Sequence, residues 1–201
     1  MKLIPATALL WALALAGCAT PPATHYYSLA PTAPAAKTSA LQIEVPSVAM
    51  AERLIRPQLV VHSASTRMDI LELHRWAAPF DRELHDALAE GIAQQLGAID
   101  VTTGGRLPDQ PVYRIAVQLR QWDAVVDNQV QASFSWTIRR SDGARSLACQ
   151  WSQSEPIDTG TSPGIPALAQ AAQRLTQRAA HTMAAAVAAL DAHANAACPA
   201  P

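Results

Sequence analysis

Hydrophobic and polar positions change their spacing along this 201-residue chain, and each change marks an element. Leu41, Ile43 and Val45 alternate with Gln42 and Glu44, which predicts a half-buried strand ending near Pro46. Gln58 to Ser63, entered through Pro57, predicts a second strand, and Met68 to Leu73 a third across the polar turn Ser65-Thr66-Arg67, so the two form a hairpin. The period then becomes 3.6. Phe80, Leu84, Leu88, Ile92 and Leu96 recur every four residues with Ala87 and Gly91 in the same stripe, which predicts an amphipathic helix over Pro79 to Leu96, stopped by Gly97. Asp81 and Glu83 in its first turn favour the helix dipole. Three alternating segments follow: Tyr113 to Leu119, Gln129 to Arg139 and Ser146 to Ser152. Short turns at Asp127-Asn128 and Ser141-Asp142-Gly143 make them an antiparallel meander with one wet face. After Ser162-Pro163-Gly164, Leu168, Leu175, Ala179, Met183, Val187 and Leu190 predict a second long helix from about Pro166 to Leu190. The expected fold is α+β: a mixed, largely antiparallel sheet with two long helices packed on one face.

The two ends read differently from this 41–190 domain. Residues 18–40 carry Pro21, Pro22, Pro31 and Pro34 among Ala, Thr and Ser, the composition of a stiff extended tether. Within it His25-Tyr26-Tyr27-Ser28-Leu29 has the phase of an added edge strand. Residues 191–201 are Ala- and Pro-rich and are expected to be disordered. At the other extreme, Lys2 followed by the apolar run Leu3 to Ala14 reads as an export signal, because a membrane-spanning helix needs roughly 20 apolar residues. Leu15-Ala16-Gly17-Cys18 looks like the lipobox of bacterial lipoproteins, with cleavage between Gly17 and Cys18 and a diacylglyceryl group on the Cys18 thiol. Residues 1–17 are then a signal peptide, and Ala19 in place of an aspartate implies sorting to the inner leaflet of the outer membrane. Two or three acyl chains, at about 0.8 kcal/mol per buried methylene, anchor permanently.

Composition narrows the classes. Fifty per cent hydrophobic residues suffice for one core, and 15 basic against 16 acidic residues give no field for nucleic-acid binding. Removing the signal takes away Lys2 and no acid, so the balance becomes 14 against 16.

Convergent chemistry is sparse. His25, His62, His74, His85, His181 and His193 show no H-E-x-x-H spacing and no Cys/His cluster, so no metal site is expected. Asp81 and His85, four apart on the first helix, have the spacing of an i,i+4 contact on its flank. Thr103-Gly104-Gly105 lacks the Lys-Ser/Thr of a phosphate loop, and Ser63 and Ser65 lie in no G-x-S-x-G elbow. No enzyme is expected. Arg53, Arg56, Arg75 and Arg82 concentrate positive charge in one stretch, either as surface ion pairs or as a rim for phospholipid head groups or an acidic partner. Cys149, in strand phase with Leu147 and Trp151, and Cys198, in the tail, either pair in the oxidising periplasm or remain one buried and one loose thiol.

Several segments together resemble a known family. The lipobox at Cys18, Tyr26-Tyr27-Ser28-Leu29, Ile43-Glu44-Val45-Pro46-Ser47-Val48, Arg56-Pro57-Gln58-Leu59-Val60 and Arg75-Trp76-Ala77-Ala78-Pro79-Phe80 are similar, in order and spacing, to the PqiC-like ABC-type transport auxiliary lipoproteins. Met50 to Ile55 departs from the family pattern, which more often has a proline-tyrosine-leucine approach to Arg-Pro-Gln. The resemblance implies a non-catalytic outer-membrane lipoprotein beside a transporter with MCE-type subunits, docking or gating phospholipid transfer between the membranes, in some members as a homo-oligomeric ring. It implies no cofactor beyond covalent N-acyl and S-diacylglycerol lipid on Cys18. Arg56, Arg75 and Trp76 match the family motifs as residues for partner or head-group contact, or for folding. The alternative reading is a periplasmic carrier holding a lipid or other apolar ligand in its own pocket.

Overall fold

The computed structural model describes residues 21–30, 39–64, 66–158, 160, 163–193 and 195–200. The signal peptide 1–17, Cys18, and Pro31 and Pro34 of the expected tether lie outside the described residues, as do Ser65 and Ser162 of the two expected turns. Among the described residues, eight strands and two α-helices run in the order β1 (His25–Tyr27), β2 (Gln42–Glu44), β3 (Gln58–His62), β4 (Met68–Trp76), α1 (Phe80–Leu96), β5 (Ile99–Asp100), β6 (Val112–Val125), β7 (Gln129–Arg140), β8 (Ser146–Pro156) and α2 (Ile165–Ala192). The class is the expected α+β, with both helices on one face. The strands differ from the expectation in forming two sheets: three strands ordered β1-β4-β3, and five ordered β5-β2-β6-β7-β8. The antiparallel pairs are the β3–β4 hairpin and the β6–β7–β8 meander; β1–β4, β2–β5 and β2–β6 are parallel.

The meander is built on strict alternation. Tyr113, Ile115, Val117 and Leu119 of β6, Val130 to Ile138 at every second position of β7, and Cys149 and Trp151 of β8 are buried on one face, with Phe134 opposite Trp151 and their rings 5.8 Å apart. Between Leu119 and Gln121 the β6–β7 register shifts, so the phase inverts and Trp122 and Ala124 continue the buried face. Reading a fixed period of two ends the inward row at Leu119 and misses both. Gln42 is a second difference. Alternation with Leu41 and Ile43 places it on the polar side of β2, but it is fully buried, because the parallel neighbours β5 and β6 and the 106–111 loop cover it. Its amide is satisfied there: Oε1 accepts from the Leu107 N–H at 2.6 Å, and Nε2 donates to the carbonyls of Leu107 and Gln110.

Helix α1 starts after Pro79 and ends at Gly97 in the left-handed region (φ 61°), where an L side chain is disfavoured. Helix α2 packs on α1 and across β6, β7 and β8 through an alanine-rich face. At the crossing a Cβ on Gly91 would stand 2.9 Å from the Ala180 Cβ, so only glycine allows this approach. Gly91→Val is expected to cost about 1–3 kcal/mol by overpacking, despite its better helix propensity, measurable as a lower urea midpoint at unchanged slope.

The C-terminal end of α2 is held by β6 and the β7–β8 hairpin. Arg145 donates to the Leu190 carbonyl at 2.9 Å and also to that of Asp191, closing the open end of the helix. The Tyr113 hydroxyl donates to Asp191 Oδ1 at 2.6 Å. Burial, then the hydrogen bond and charge of Asp191, push the Tyr113 hydroxyl up to about 12 from 10, against the opposing Arg140 and Arg145. The folded state therefore holds this proton more tightly than the unfolded chain, so its stabilisation is complete below pH 10 and disappears as pH rises to about 12. Tyr113→Phe is expected to flatten that alkaline loss of stability, read from denaturant midpoints across the window.

Candidate functional surface

The small sheet gathers the residues expected at a contact surface. The His25–Tyr27 segment forms the edge strand anticipated from its phase, pairing Tyr26 with Arg75 and Tyr27 with Trp76. It is fixed to the body beyond the sheet: Leu29 is fully buried, and its N–H and the Ser28 hydroxyl both donate to Glu83 on α1, at 3.0 and 3.2 Å. Three backbone bonds then stitch the motif segments together. The Ala77 N–H donates to Tyr27 O at 2.7 Å, the Trp76 N–H to Pro57 O at 2.6 Å, and the Phe80 N–H to Arg56 O at 3.1 Å.

The three expected contact residues separate under this geometry. Trp76 is 4% exposed and its ring lies 5.6 Å from Phe80, so it is a core group and cannot meet a partner. Arg56 and Arg75 stay accessible. Arg56 Nε donates to the Arg53 carbonyl at 2.9 Å; Arg75 Nε donates to the Glu72 carbonyl at 2.9 Å, with its Nη2 3.5 Å from the Glu72 carboxylate. Such exposed pairs hold a guanidinium in place at little energetic gain. Of the other expected basic residues, Arg53 lies in a 3₁₀ turn, Glu52–Leu54, and Arg82 on the first turn of α1.

The histidines do not converge. His74 stacks on His25 with ring centroids 5.2 Å apart and shares a 2.9 Å hydrogen bond with the Tyr27 hydroxyl; burial and then the charge of His25 lower its proton affinity. His62 pairs with Asp123 at 3.2 Å, joining β3 to β6 beside an open cleft of about 380 Å³. His85 forms no hydrogen bond or ion pair with Asp81; its Nδ1 lies 2.7 Å from Asp86 and its Nε2 2.8 Å from the Val45 carbonyl, so the ring ties α1 to the chain after β2. Among the described residues no three His, Cys, Asp or Glu side chains come together as a metal site.

Two further features bear on binding. The outer face of the large sheet holds an open trough of about 700 Å³, lined by Ala116, Gln118, Ser135, Thr137, Ala148 and Gln150, with no charged side chain in its lining. At its border Cys149 and Cys198 are joined by a disulfide, with Cα atoms 5.7 Å apart, so residues 195–200, expected to be disordered, are tied to β8. The apolar gap between the small sheet and the helices, lined by Leu54, Leu59, Trp76, Phe80, Trp122 and Leu168, has a volume of about 10 Å³. Ligand pockets run to ~300–1,000 Å³, so this gap does not hold an acyl chain.

The family model described as ABC-type transport auxiliary lipoprotein component matches residues 27–184, from β1 through most of α2. The chain belongs to this family. No curated protein matches the chain. Two solved structures share its fold: an uncharacterized protein, 17% identical with a TM-score of 0.64, covering 83% of this chain and 99% of its own, and a Xanthomonas campestris protein of the DUF330 family, 14% identical with a TM-score of 0.57, covering 80% and 91%. The matched span contains every backbone bond that stitches Tyr27, Pro57 and Phe80 together, so the motifs of a transport auxiliary lipoprotein are here the joints of the small sheet. No described helix is long and apolar enough to cross a membrane.

Proposed function

We propose that this protein is an outer-membrane lipoprotein, acylated at Cys18 and facing the periplasm, that serves as the docking or gating component of an ABC/MCE-type system moving phospholipid between the inner and outer membranes. The family match over residues 27–184 carries the transport-auxiliary part of this reading, and Leu15-Ala16-Gly17-Cys18 supports the anchor. The role is non-catalytic: the protein holds a periplasmic MCE-domain partner near the membrane and takes no cofactor beyond the lipid on Cys18. The tightly filled interior around Trp76 and Phe80 favours this docking role over that of a carrier.

Two measurements test the reading. Labelled palmitate is expected to enter the wild-type protein and not Cys18→Ser, which should move from the membrane to the soluble periplasmic fraction. Crosslinking in intact envelopes is expected to capture an MCE-domain protein. Absence of palmitate from the wild type removes the anchor, and envelopes that yield only other proteins remove the partner.

A further inference from the structure

We infer that the outer face of the small sheet, centred on Tyr26 and Ile70, lies against the bilayer that holds Cys18, so that the domain sits on the membrane rather than standing away from it. The inference rests on the proposed acylation of Cys18. Six residues separate Cys18 from His25, where β1 begins. Seven Cα–Cα steps span at most about 25 Å, whatever path they take. The long 18–40 tether read from composition is therefore cut short, because β1 pairs with β4 and Leu29 is buried against α1.

Strand direction orients the surface. Because β1 runs parallel to β4, the chain N-terminal to His25 lies on the side toward which β4 runs back from His74 to Met68 and the β3–β4 turn. The six residue steps from His74 back to Met68 cover about 20 Å, close to the full reach of the Cys18 connection. Among the described residues, the exposed large hydrophobic side chains concentrate here: Tyr26 is 65% exposed, Ile70 43% and Leu73 39% on β1 and β4, with Ile55 just before β3. Tyr26 shares its face with Arg75, and Ile70 shares its face with Val60, opposite buried Leu59 and Val61. A tyrosine and aliphatic side chains beside Arg75, whose charge is shared with the exposed Glu72 carboxylate, suit the level between acyl chains and phosphates. The outer face of the large sheet carries Arg114 and Arg120 among Ala, Ser, Thr and Gln, but among the described residues none of the exposed large hydrophobic side chains.

The full-length acylated protein, reconstituted in vesicles of phosphatidylethanolamine with a minority of phosphatidylglycerol, provides the test. A benzophenone photoprobe placed at Tyr26 or Ile70, both exposed enough to accept it, is compared with one at Gln118 on the large sheet. Lipid adducts at the first two positions are expected several-fold above those at the third. Equal yields at all three, with palmitate present on Cys18, overturn the membrane-facing orientation and leave the anchor standing. Adducts to protein instead of lipid at Tyr26 and Ile70 in whole envelopes also overturn it, making the face a partner surface. Absence of palmitate on Cys18 removes the anchor and this inference together.

Discussion

Phe80→Ala is expected to lower the unfolding free energy by about 3–5 kcal/mol, the range for deleting a fully buried aromatic ring. Phe80 is 2% exposed and stands between two indoles, 5.6 Å from Trp76 and 4.8 Å from Trp122. The three rings come from β4, the first turn of α1 and the segment of β6 beyond its bulge, so one side chain joins both sheets to the first helix. Its N–H is also committed to the Arg56 carbonyl, which places the ring and leaves little freedom for collapse around the cavity. Urea unfolding at constant slope is the measurement. A loss below 1 kcal/mol would show that the small sheet is fastened elsewhere. Phe80→Leu keeps most of the volume and is expected to cost about half as much.

Cys198→Ser is expected to cost about 2–4 kcal/mol under oxidising conditions. The bridge to Cys149 closes a segment with a sequence separation of 49, for which loss of chain entropy in the unfolded state gives about 4 kcal/mol. Residual structure in the unfolded chain takes away part of that value. For a domain of this size the change corresponds to roughly 10 °C in Tm. Reducing the wild type should lower its Tm by a similar amount and leave Cys198→Ser unmoved; a wild type insensitive to reductant would mean that the bridge contributes nothing.

Periodicity made the secondary structure largely legible. The stripe from Phe80 to Ile92 and the alternation from Val130 to Ile138 each report one face of one element, and both are buried as read. Partnering was not legible in the same way. Gln42 looks solvent-facing in its own strand, and only the parallel neighbours and a distant loop make it a buried bridge. Two sheets in place of one, and the bulge that turns Trp122 inward, likewise depend on contacts far apart in sequence. The candidate surface followed the same rule. Arg56 and Arg75 were found as charge and remain accessible, whereas Trp76, taken from the same motif, is consumed in joining sheet to helix.

The direction of β1 also decides how the molecule resists a pull. Tension transmitted through residues 21–24 along the strand axis strains the three β1–β4 pairs at once, in shear, instead of opening them one by one. The burial of Leu29 and the grip of Glu83 on its N–H take up the remaining load. A sheet of three strands thereby becomes a mechanical fastening against a pull on the chain that enters it at His25.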